Sequence, residues 1–139
     1  MALHMLKLCV GIDDVDHLAT VQRRRLVGGA RLCHRTRQTP RRAAEILDGG
    51  SLYWVIRGFV RVRQRILDID HEFGDDGIRR CLLVLDPALV RTVPQPRRPH
   101  QGWRYLDPAD APGDLPAAGE EGGELPPEMA AELRGLGLI

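Results

Sequence analysis

The sequence predicts an α+β domain, a mixed and largely antiparallel twisted sheet carrying two to three helices. Three observations predict it. The first half of the chain alternates strand-like and helix-like stretches. From Leu52 onward, strand-like runs follow one another with turn residues between them. Gly pairs, or Gly and Pro, punctuate most of the changes of pattern. With 43% hydrophobic residues in a chain of 139, there is enough apolar material for one core and one domain.

Met5–Ile12 reads as a strand with Leu6, Leu8 and Val10 on one face. Asp13 stands next, in the place of an N-cap. The helix that follows puts Val15, Leu18, Ala19 and Gln22 on one side and runs into Arg23–Arg25. Cations suit the negative end of a helix, and Gly28-Gly29 stop the element. Arg31–Arg37 is a second strand. Thr39 is then read as the N-cap of a second helix with Pro40 in its first position. Ala43, Ala44, Ile46 and Leu47 supply its buried side, and Gly49-Gly50 end it.

Leu52–Arg57 is a strand whose Leu52, Trp54 and Ile56 share a face, which makes Trp54 a core residue. Gly58 marks a bend or bulge. Phe59–His71 is a long strand. Val60, Val62, Gln64 and Ile66 alternate with Arg61, Arg63 and Arg65, after which the apolar phase moves to Leu67 and Ile69. That change predicts a bulge near Arg65–Leu67. Asp76-Gly77 predicts a hairpin turn, and Ile78–Leu85 is the most apolar return strand. Ala88–Val93 is one more strand, Pro94–Pro99 an extended loop, and His100–Leu106 carries the second tryptophan. A twisted or half-closed sheet suits this order; by analogy, a PUA-like half-barrel is one such form.

Residues 1–106 form the α+β domain in this reading. Residues 107–127 are an acidic, Pro/Gly-rich flexible linker, and 128–139 a short C-terminal helix.

Charge divides the same way. Residues 23–104 hold 18 arginines against eight acidic residues, a net of +10, whereas residues 105–139 hold one arginine against eight, a net of −7. The basic body and acidic end need separate explanations. No apolar run approaches the roughly 18 residues of a membrane span, and the N-terminus lacks the apolar core of an export signal. Three widely spaced cysteines, Cys9, Cys33 and Cys81, do not make a disulfide framework. A cytoplasmic setting is expected.

Four segments together resemble a bacterial family known as domain of unknown function 1489. They are Lys7–Gly11 (KLCVG), Thr39–Gly58, Val62–Ile69 (VRQRILDI) and Pro96–Leu106 (PRRPHQGWRYL). The resemblance spans nearly the whole chain. It implies a cytoplasmic protein and brings no activity, cofactor or catalytic residue with it.

Candidate chemistry therefore rests on the residues. Arg41 and Arg42 follow Thr39 at the start of the second helix, where the dipole disfavours cations and an anion would remove the conflict. A pairing of Arg41 with Glu45 is the structural alternative. Arg61, Arg63 and Arg65 share a strand face and can follow a phosphate backbone, or can be balanced by acids on neighbouring strands. Arg97, Arg98, Trp103 and Arg104 interleave cations with an aromatic, as a loop that stacks on unpaired bases does. Trp103 plugging the edge of the core is the alternative there. Asp13, Asp14 and Asp16 cap and balance a helix more simply than they hold a metal. No cysteine–histidine spacing marks a zinc site, and Ser51, the only serine, lacks a nucleophile's context. No metal or cofactor is expected. RNA or another polyanion is the expected partner. The alternatives are a small enzyme acting on a phosphorylated or anionic substrate, and an adaptor whose acidic end covers its own basic surface.

Overall fold

A computed structural model describes residues 2–26 and 31–115. Its strands are β1 (His4–Leu8), β2 (Cys33–Thr36), β3 (Ser51–Ile56), β4 (Phe59–Phe73), β5 (Arg79–Leu85), β6 (Val90–Pro96) and β7 (Trp103–Leu106). Helix α1 (Val15–Leu26) lies between β1 and β2, and α2 (Ala43–Leu47) between β2 and β3. All seven strands join one sheet in the order β2-β5-β4-β3-β1-β7, with β6 paired to β4. Only β1 and β3 run parallel; the other pairings are antiparallel. The expected α+β class holds, and the sheet is open, with β2 and β7 at its ends.

The long strand β4 organises the sheet. Its first half pairs with β3 and β6, its second with β5. The register slips between Ile66 and Asp68, where the apolar phase changes in the sequence. Arg57 and Gly58 form the two-residue turn from β3 to β4, with φ of +49° and +84°. Two positive φ values in a two-residue hairpin are the type I′ geometry. Gly58 thus closes a tight turn; it is not a bend within a continuing strand.

Two apolar clusters cover the sheet. The larger gathers Met5, Ile46, Leu52, Trp54, Ile56, Val62, Ile66 and Leu83 beneath Val15 and Leu18 of α1. The other holds Leu6, Tyr53, Val55, Val60 and Leu106. Strand alternation assigns successive residues such as Met5 and Leu6 to opposite clusters. Trp54 belongs to the core as expected. A polar knot lies inside the larger cluster. Gln22 and Gln64 exchange amide hydrogen bonds at 2.8 Å each way, and the Trp54 indole N–H donates to Gln64 Oε1 at 2.9 Å. Gln64 also donates to the Asp86 carbonyl at 3.1 Å. A buried amide so satisfied fixes α1 against β3 and β4.

Several boundaries differ from the sequence reading. Asp14, rather than Asp13, caps α1: its carboxylate accepts the His17 N–H at 2.7 Å. Thr39 does not cap α2. The helix starts at Ala43, behind Arg42, with no side-chain cap. The Thr39 hydroxyl instead meets His71 Nε2 at 3.1 Å, and the Arg42 N–H donates to the Tyr105 hydroxyl at 3.1 Å. A strand on the far side of the chain thus serves the donor that a local cap would have served. Pro94 and Pro96 lie at the end of β6 rather than in a loop, beyond Thr92, where Asp114 bridges the strand's other edge. The second tryptophan begins a strand of its own. Residues 107–115, expected to open the flexible linker, are held: the Val93 N–H donates to the Gly113 carbonyl and the Leu115 N–H to the Arg91 carbonyl, both at 2.8 Å. The expected terminal helix and the Gly28-Gly29 stop lie outside the described residues. Among the described residues, no helix is long and apolar enough to cross a membrane.

Candidate nucleic-acid interface

The three sequence-predicted cation sets meet different fates. At the start of α2, Arg42 pairs with Glu45 through two contacts, at 2.5 and 2.7 Å, and its guanidinium lies 5.7 Å from the Tyr105 ring centre. Glu45 thus pairs with Arg42, not Arg41, which stays exposed. The strand row does not form an open ladder. Arg61 is buried over the Phe59 ring, and Arg63 grips Asp114 at 2.7 Å from both Nε and Nη2. Arg65 alone of the three is exposed. The acid that balances Arg63 comes from the segment after β7, not from a neighbouring strand. In the third set, Arg104 closes its own loop on the Gln101 carbonyl, Arg97 donates to Gln95, and Arg98 is exposed. The structure brings the first and third sets together, because Arg42 reaches Tyr105 of β7.

Trp103 plays the structural part that was the alternative reading. Its indole N–H donates to the Gln38 carbonyl at 3.0 Å, and its ring stands edge-on to Tyr105 with centroids 4.9 Å apart. It packs against the larger core cluster while remaining partly exposed. The Gln38 bond ties β7 to the segment leaving β2, across the gap between the two ends of the sheet.

That gap is the candidate site. A groove of about 440 Å³ runs between Trp103 and β2, lined by Lys7, Arg35, Arg37 and Gln38. Lys7 also lines a second space, a cavity of about 180 Å³ roofed by α1, and β2 continues into it with Cys33 and His34. Groove and cavity thus share a wall. Among the described residues, no acidic side chain lines either of them. Arg35 is joined to Glu72 outside the groove lining. Among the described residues, Lys7, Arg25 and Arg37 form no ion pair. Among the described residues, two of the three groove cations, Lys7 and Arg37, thus have no acidic partner, in a setting where apolar walls strengthen their pull on an anion.

The cavity has an apolar body and a short polar list. Trp54 carries His34 edge-on, with ring centroids 5.0 Å apart and planes at 85°. His34 Nε2 is buried and meets no hydrogen-bond partner among the described residues. An unmatched buried polar atom costs about 1–3 kcal/mol. Burial first, then the charges of Lys7 and Arg25, lowers the His34 pKa to about 4, so the ring is neutral at physiological pH. Burial also pushes the Cys9 thiol up to about 11, against the pull of the same two cations. A thiol held protonated is a poor nucleophile.

The acidic run after β1 is otherwise engaged. Asp13 pairs with Arg57 and Asp16 with Arg91, each at 3.1 Å. Among the described residues, no group of three histidine, cysteine or acidic side chains is arranged to hold a metal ion.

Sequence reasoning missed Lys7, Arg25, Arg35, Arg37 and His34. The signal was present in part: Lys7 is the only lysine of the chain, set inside an apolar strand. What the sequence does not reveal is that β1 and β2, which are not paired, line one groove from different parts of the sheet order.

No curated protein and no solved structure matches the chain. A family model does match, over residues 5–139, and with it the chain belongs to the family described as protein of unknown function, DUF1489.

Proposed function

We propose that the protein binds single-stranded nucleic acid, RNA first, in the groove between β7 and β2. One observation carries this reading: Lys7, Arg35 and Arg37 line a groove that ends at Trp103 and, among the described residues, has no carboxylate in its wall. A flexible polyanion needs cations spaced along its backbone and apolar surface for its bases. A duplex is too wide to enter a recess of about 440 Å³, whereas a single strand can follow it. The Arg41, Arg98 and Arg65 side chains, exposed elsewhere, add attraction at longer range.

The test is a titration of labelled single-stranded RNA into the full chain at low and at high salt. Single-stranded DNA and heparin serve as competitors. The reading expects affinity that falls as salt rises, with RNA displaced less readily by heparin than charge alone would allow. Absence of binding at low salt overturns it, as does equal displacement by every polyanion.

A further inference from the structure

The cavity behind Lys7 has no part in holding phosphates, yet it adjoins the groove that would hold them. Its volume of about 180 Å³ exceeds the roughly 150 Å³ that accommodates a benzene ring in a protein interior. Its walls include the indole of Trp54 and the aliphatic side chains of Leu18, Val21 and Leu32. Two polar groups interrupt them. His34 has a buried Nε2 without a partner among the described residues. Gln22 spends one N–H and one acceptor position on Gln64, and the amide has a second of each. Gln64, which meets Gln22, Trp54 and the Asp86 carbonyl, holds that amide in one orientation. A mostly apolar cavity with a fixed amide and a neutral imidazole is chemically suited to a heteroaromatic ring with donors and acceptors on its edge. A phosphate would find no positive group in its depth, because Lys7 is shared with the groove and Arg25 is exposed.

We propose that the cavity receives one unstacked base of the bound strand, of single-ring size, with Gln22 and His34 reading its edge. This deepens the reading of the groove and rests on it. An extruded base would enter past Lys7 while its own phosphate stays with Lys7 and its neighbours with Arg35 and Arg37. Single-ring size favours pyrimidines over purines. The edge contacts would then separate uracil from cytosine, whose donors and acceptors are exchanged.

The experiment compares strands and variants on the full chain. Homopolymeric uridine, cytidine and adenosine strands are titrated first, then a preferred strand with one abasic nucleotide placed at each position in turn. Wild type is expected to prefer one pyrimidine strand. One abasic position should weaken binding about 5- to 150-fold, the range a stacked base contributes. His34→Phe keeps a ring against Trp54 and should erase the preference between pyrimidines while retaining salt-dependent binding. Val21→Phe fills the slot from α1 and should make the abasic strand bind as well as the intact one. Circular dichroism establishes that each variant is folded, and the second variant stands if the first does not fold. Binding that is salt-dependent, indifferent to base and to every abasic position, and unchanged in both variants overturns the pocket and leaves the groove. Unchanged preference in His34→Phe alone assigns the His34 edge to the Trp54 ring and overturns its reading role. No binding of any strand overturns both.

Discussion

The Trp103 indole N–H and the Gln38 main-chain carbonyl meet at 3.0 Å, and this bond joins the outermost strand β7 to the segment leaving β2 at the opposite end of the sheet order. It holds the two rims of the groove at a fixed separation. Trp103→Phe keeps much of the packing and loses the bond, which should cost about 1 kcal/mol. Trp103→Ala loses both and should cost about 2–3 kcal/mol, below the figure for a fully buried ring. Urea denaturation of the three proteins measures this. Equal stability of Trp103→Phe and wild type would show that the bond does not hold the rims. Weakened RNA binding in Trp103→Ala would therefore not by itself mean lost stacking.

The buried imidazole of His34 makes stability depend on pH with a defined sign. Unfolded, it takes up a proton near its ordinary 6.5; folded, it does so only near 4. Its contribution is full above about 6.5 and is lost as pH falls towards 4, on the order of 3 kcal/mol in all. His4 and His100 are lowered in the same direction, chiefly by burial, so the His34→Phe protein should show a shallower decline rather than none. Thermal unfolding at half-unit steps from pH 7 to 4 gives the comparison. Identical curves would mean that His34 is not held neutral.

Gly50 is a glycine for want of space. It links α2 to β3, donating to the Ile46 carbonyl at 2.6 Å and accepting from the Ile66 N–H at 3.0 Å. A Cβ there would run into the main-chain oxygens of Leu3 and Ile46. Main chain yields less readily than side chain, so Gly50→Ala should cost about 3 kcal/mol or more. Gly102→Ala is the contrast. That residue has φ of +67° with open space around it, and only the backbone conformation resists, at about 1–2 kcal/mol. A reversed order in denaturation would contradict this account of both sites.

Arg63 and Asp114 hold the segment after β7 against β6. The pair is partly exposed, so its removal should change global stability by less than about 1 kcal/mol. Its local effect should be larger. In Asp114→Asn, amide exchange should quicken several-fold at Val93 and Leu115, whose N–H groups bond across this contact. Unchanged exchange at both would place the anchorage elsewhere.

How much of this was legible in the sequence depended on how local the cause was. Continuous apolar runs marked β3 and β5, which are buried on both faces, and alternation marked the first half of β4, where the shift from Ile66 to Leu67 and Ile69 located the bulge. Caps were harder. Thr39-Pro40 is a sound helix start by local chemistry, yet Tyr105, more than sixty residues on, serves the Arg42 N–H instead. β7 was missed since four residues with a half-buried pattern carry little periodic signal. The Arg61, Arg63 and Arg65 row looked like one surface. Twist and bulges gave each a different neighbour: Phe59 for the first, Asp114 for the second, solvent for the third. The gap between β2 and β7 is a property of the strand order of the open sheet, so no run of residues announces it.

The central claim is that a single strand lies in the groove through Lys7, Arg35 and Arg37. The most direct measurement is the salt dependence of RNA affinity for wild type, for Lys7→Gln with Arg37→Gln, and for a charge-matched control, Arg24→Gln with Arg79→Gln, whose residues line neither groove nor cavity. Each lost phosphate contact lowers the slope of log K against log salt by about 0.7 for a single strand. The groove variant should therefore bind more weakly with a slope shallower by about 1.4, while the control keeps nearly the wild-type slope. The same slope and affinity in both double variants would contradict the claim, since net charge alone would then explain the binding.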